Sequence, residues 1–199
     1  MPMTTFLSSV LRHGVAVCAT GIAGGVAAAE KTDVRAAIPR AESRIVIDGR
    51  LIEYSHALCT PVEYFHPDLQ NRAGQFFYLW DDDAIYVAVR TLDKTPFTPS
   101  ENFWVGDAVE WYLDVRRGAD FRSAAWGPGS VHCFFAGAQG NKIAPQFSKR
   151  PGYEDLITGE GVQVASRRSD AGLEVEFKLP WRNFPAFRPA VGEVIAIDA

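Results

Sequence analysis

The segment "GLEVEFKLPW", Gly172 to Trp181, places Leu173, Val175, Phe177 and Leu179 at every second position, with Glu174, Glu176 and Lys178 between them. Side chains of a strand alternate between its two faces, so this spacing predicts a strand that is half buried and half wet, stopped by Pro180. Runs of the same kind recur along the chain. "QFFYLW" (Gln75–Trp80) and "AIYVAVR" (Ala84–Arg90), joined by Asp81-Asp82-Asp83, predict a hairpin of aromatic and β-branched residues. Further strands are expected at Ala108–Val115, Val131–Phe135, Val162–Arg167 and Glu193–Asp198, and a short one in "RIVIDG", Arg44 to Gly49, closed by the Asp48-Gly49 turn. No long segment sustains a helical period, and "WRNF" after Pro180 allows one helical turn at most. Many short alternating strands divided by turn residues imply an all-β protein, an antiparallel β-sandwich.

The N-terminus follows another rule. Arg12 precedes an apolar run from Gly14 to Ala29 that ends in Ala27-Ala28-Ala29, the pattern of a secretory signal cleaved before Glu30. Residues 1–29 are therefore expected to be removed on export to the periplasm or the medium, and no second apolar stretch is long enough to span a bilayer. Residues 30–43 are polar and Ala-rich with Pro39, which reads as a linker or loose arm, and the domain is expected over 44–199. Two cysteines remain after cleavage, Cys59 and Cys133. They can form a disulfide in an exported protein or stand as two separate thiols.

The sequence excludes several chemistries. It has no Gly-x-Ser-x-Gly elbow, no His-Glu-x-x-His, no phosphate loop and no dinucleotide fingerprint. With a net charge of −4 and no basic stripe, it is not an electrostatic nucleic-acid binder. Asp107 and Glu110 could be imagined as a glycosidase pair, but residues three apart on one strand face opposite ways, so Asp107 belongs in the turn before the strand. Loop carboxylates at Asp81, Asp83 and Asp107 suit calcium, a hard cation that takes oxygen ligands. The alternative is a solvated turn.

The aromatics say more. In "ENFWVGDAVEWYLDVR" Trp111 shares a face with Val109 and Leu113 and should be core, whereas Glu110 and Tyr112 fall on the other face and Trp104 stands at a strand end. A flat ring there can stack on the apolar face of a sugar while a carboxylate accepts bonds from its hydroxyls.

"IVIDGRLIEY", "LWDDDAIYVAVRTLD", "WVGDAVEWYLDVR", "LEVEFKLPW" and "GEVIAIDA", in this order, resemble the family 9 carbohydrate-binding modules over nearly all of Arg44–Ala199. The resemblance implies a β-sandwich that binds saccharides without catalysing a reaction, serves polysaccharide recognition or catabolism, and holds calcium as a structural ion. It assigns Trp104 to sugar stacking, Glu110 to hydrogen bonding and His132, in the following strand, to a further polar contact. It also implies further strands after the one at Glu193–Asp198. Two features depart from the family pattern: Ile52 stands where an acidic residue is usual, and no tryptophan follows Tyr54. Two rival readings remain, a glycoside hydrolase using paired carboxylates and a structural sandwich whose aromatics are all core.

Overall fold

The computed structural model describes residues 35–66, 69–92, 108–121, 129–136, 144–147, 159–169 and 172–198. Among them nine strands form two sheets. β1 (Leu58–His66), β2 (Leu69–Trp80), β3 (Ala84–Thr91), β8 (Gly172–Pro180) and β7 (Gln163–Ser169) lie side by side in that order. The second sheet runs β6 (Ala144–Phe147), β5 (Ser130–Ala136), β4 (Ala108–Asp114), β9 (Ala196–Asp198). Every pairing between these nine strands is antiparallel, and the only helical pieces among the described residues are three-residue 3-10 turns, one of them at Trp181–Asn183. This is the expected all-β sandwich.

The alternating residues make the core. From the first sheet come Ile85, Val87, Val175, Phe177 and Leu179, and from the second Val109, Trp111, Leu113 and Val131, all within one apolar cluster. Trp111, fully buried as expected, meets Phe177 of the other sheet edge-to-face at 5.9 Å. Offset and edge-on ring contacts are the favoured ones, so this pair locks one sheet on the other.

Two strands were not expected from the sequence, β1 and β6. Both carry a proline, Pro61 opposite Gln75 and Pro145 opposite Phe135, and both are the outermost strand of their sheet. A proline lacks an N–H for the ladder but is tolerated where one side of the strand has no neighbour. The last strand is shorter than expected, Ala196–Asp198 rather than Glu193–Asp198.

Arg44–Gly49, expected as a strand, joins neither sheet. It runs as an extended strap over the outer face of the first sheet, where Ile45 and Tyr54 pack with Leu79, Ala84, Tyr86 and Ala88 in a second apolar cluster. Burial of alternate residues against a sheet face gives the same sequence pattern as a strand, which explains the misreading. The strap's backbone donors go instead to a side chain: the N–H groups of Asp48 and Gly49 donate to Glu176 Oε2 at 2.9 and 2.6 Å. Glu176 was expected on a wet face. It is fully buried, because the strap covers it. The segment read as a loose arm is also fastened, with Ala41 N–H donating to the Trp80 carbonyl, Trp80 N–H to Pro39 and the Trp80 indole N–H to Ile38.

Candidate functional site: the outer face of the four-stranded sheet

The core faces of β4 and β5 leave their alternate positions on the far side of the second sheet. Since Val109, Trp111 and Leu113 are buried in the core, Glu110 and Tyr112 hold positions on the opposite face, and Tyr112 is partly exposed. Directly paired residues of an antiparallel ladder share a face. The register therefore sets His132 and Asp198 beside Tyr112, Phe134 beside Glu110, and Gln146 beside Phe134. By register, positions 110, 112, 132, 134, 146 and 198 thus share one sheet face across four adjacent strands.

One end of this face is closed by an ion pair. Arg116 places Nε against Asp114 Oδ1 and Nη2 against Oδ2, both at 2.9 Å, and its backbone N–H also donates to Oδ1. Both side chains are almost buried, and the carboxylate holds the Arg116 guanidinium above its usual pKa. Gly129 makes room for this arrangement: a side chain there would stand 2.9 Å from Arg116 Cγ, and its φ of +95° suits glycine. Paired in this way, Asp114 and Arg116 place little net charge beside Tyr112.

Of the residues expected to form the site, Glu110 and His132 come to this one face on neighbouring strands by register. Trp104 and Asp107 lie outside the described residues. Asp81 and Asp83 are elsewhere, in the turn between β2 and β3. Asp81 Oδ1 accepts the N–H groups of Asp83 and Ala84, its Oδ2 accepts the Tyr86 hydroxyl at 2.8 Å, and its carbonyl accepts the Trp181 indole N–H. This matches the turn-opening role that an Asp after a strand-ending aromatic suggests. Its two carboxylate oxygens and its carbonyl thus hold the turn to its own backbone, to Tyr86 and to Trp181. Among the described residues no group of three His, Cys, Asp or Glu side chains is placed to hold a metal ion.

Phe134, Gln146 and Asp198 were not anticipated from the sequence. Asp198 and Phe134 carried a signal, since each holds an alternate position on an expected strand. Gln146 carried none, because its strand hides behind Pro145. Cys59 is an exposed free thiol on β1.

The chain matches the carbohydrate family 9 binding domain-like model over residues 47–199 and belongs to that family, whose members are non-catalytic binding modules. Its fold is shared with a carbohydrate binding module family 9 from Caldicellulosiruptor kristjanssonii in complex with glucose, at a TM-score of 0.62 and 17% identity, covering 80% of this chain and 74% of that one. The cellotriose complex from the same organism matches with a TM-score of 0.62 and 16% identity, covering 80% and 73%. No curated protein matches the chain. No helix among the described residues is long and apolar enough to cross a membrane.

Proposed function

We propose that the chain is a saccharide-binding module whose ligand lies across the outer face of the four-stranded sheet. The observation that carries this reading is the convergence by register of Glu110, Tyr112, His132, Phe134, Gln146 and Asp198 on one sheet face. Hydroxyls of a pyranose need acceptors and donors at short spacing, and its axial C–H face needs an aromatic, and this face holds both kinds of residue. Family membership and the glucose and cellotriose bound by its structural relatives support the ligand class. In this reading Trp104 stacks on the sugar ring, Glu110 accepts hydroxyl hydrogen bonds and His132 adds a further polar contact. The module acts after export and removal of residues 1–29, in polysaccharide recognition or catabolism, with calcium as a structural ion.

Calorimetric titration with glucose and cellotriose tests the reading. Trp104→Ala should abolish most affinity, and Glu110→Gln should weaken binding by about 1–2 kcal/mol, the difference between a charged and a neutral acceptor. Unchanged binding in both variants would refute the site. Titration with and without a calcium chelator reads the metal's part, and release of reducing sugar by the wild type but not by Glu110→Gln would replace the module with a hydrolase.

A further inference from the structure

A second concavity lies on the other sheet, where the Asp81-Asp83 turn meets the end of β8. It measures about 560 Å³, within the roughly 300–1,000 Å³ of small-molecule sites. Trp181 and Phe187, both nearly buried and 5.1 Å apart, line it together with Pro180 and Pro189. The turn and this wall are held as one piece: the Trp181 backbone N–H donates to the Asp83 carbonyl at 2.8 Å and its indole N–H to the Asp81 carbonyl at 2.9 Å.

Several charges at the rim cancel. Asp82 is paired with Arg40, and Arg182 with Glu160 at 3.5 Å. Arg182 can lie against Gly161 only because that residue has no side chain, since a Cβ there would fall 2.0 Å from its Nη2. Four polar groups remain for a ligand. Lys178 stands 5.8 Å over the Tyr86 ring and, like the side chains of Asp83 and Gln163, makes no hydrogen bond or ion pair among the described residues. Gln163 and Lys178 are register partners on adjacent strands, so their polar ends belong to one face. Arg188 uses Nη1 to donate to the carbonyls of Pro185 and Phe187, which fixes its guanidinium and leaves Nε and Nη2 open.

We propose that this groove is a second binding site, for a small hydroxylated anion of the size of one acidic sugar residue. Lys178 and Arg188 meet the carboxylate, Arg188 already held in place by its bonds to the Pro185 and Phe187 carbonyls. Asp83 and Gln163 take the hydroxyls, and the apolar wall of Trp181, Phe187 and the prolines receives the ring. One carboxylate against two cations explains the acidic ligand; a carboxylate and an amide beside them explain why a bare anion is not enough. The site is independent of the sheet face that carries Glu110, because no residue is shared.

Isothermal titration of the chain with D-glucuronate, D-glucose and inorganic phosphate tests it. Saturable binding of glucuronate is expected, weaker binding of phosphate, and a loss of roughly tenfold or more in glucuronate affinity in Lys178→Gln and in Arg188→Gln. Arg188→Gln also removes bonds to the loop at Pro185 and Phe187, so a thermal melt accompanies it. Lys178→Gln removes no hydrogen bond and carries the test if that loop is disturbed. Glu110→Gln should leave glucuronate affinity unchanged, and Lys178→Gln should leave cellotriose affinity unchanged. No saturable glucuronate heat, phosphate binding as tight as glucuronate, or glucuronate affinity lost in Glu110→Gln but kept in Lys178→Gln would each overturn the proposal.

Discussion

Glu176 shows how far one residue can depart from its pattern. Its carboxyl is sealed beneath the strap with Oε2 bonded to two backbone N–H groups, while among the described residues Oε1 and the nearby buried Tyr54 hydroxyl have no hydrogen-bond partner. Burial pushes the Glu176 pKa up to about 7, against the opposing pull of the Gly49 and Asp48 amides. A carboxyl with a raised folded-state pKa stabilises the fold most where both states hold the proton, below its unfolded value near 4.5. That contribution is lost as pH rises through about 7. Wild-type stability should therefore fall by roughly 2–3 kcal/mol between about pH 4.5 and 7.5 from this group. Glu176→Gln, which keeps an acceptor for the strap and offers Tyr54 a donor, should flatten that slope. Urea denaturation at several pH values measures it, and parallel slopes in both proteins would count against the account. Trp111 is a simpler case: its ring is fully buried between the sheets, so Trp111→Ala should cost about 3–5 kcal/mol in the same assay.

At the scale of the element, the β2–β3 turn and the strap behave as fixtures rather than connections. Asp81→Ala removes the acceptor for two backbone N–H groups and for the Tyr86 hydroxyl, and a loss of about 2–3 kcal/mol is expected from thermal unfolding. Asp81→Asn, which keeps one acceptor oxygen, should lose less. Gly49 is the strap's tightest point: at φ +83° a side chain would stand 2.8 Å from the Ser166 backbone carbon. Gly49→Ala should destabilise by about 1–3 kcal/mol through strain alone. These two positions also mark what a sequence discloses. The Asp81 turn was legible because an Asp opening a turn acts on its own neighbours. The strap was not, because alternating burial looks the same whether the partner is a ladder or a sheet face, and its anchor lies on β8, far away in the chain. The proline-bearing edge strands β1 and β6 were hidden for the converse reason, since local composition argued against pairing that tertiary position permits.

For the whole molecule, the sandwich was legible because its core strands obey a period of two, while Glu110 and His132 were joined in one site by the family resemblance and not by periodicity. The complete face was not, since register decides which residues of different strands become neighbours and no periodicity reports register. Both sheets contribute to one apolar cluster, with Trp111 against Phe177 at its centre, so they should unfold together. Far-ultraviolet dichroism and tryptophan fluorescence are expected to give coincident urea transitions, whereas two separated transitions would mean that the sheets are independent units.

The bond between the strap and Glu176 joins residues 127 and 128 apart in sequence. On a ribosome the Asp48-Gly49 turn is made long before the strand that receives it, so the strap must wait, extended and with Ile45 and Tyr54 uncovered, until β8 has emerged and paired with β3. Because Glu176 reaches the strap only once β8 has paired with β3, strap docking is expected to follow that pairing. Refolding followed by a probe on the strap should therefore lag behind recovery of the Trp111 signal, and coincident recovery of the two would count against this order.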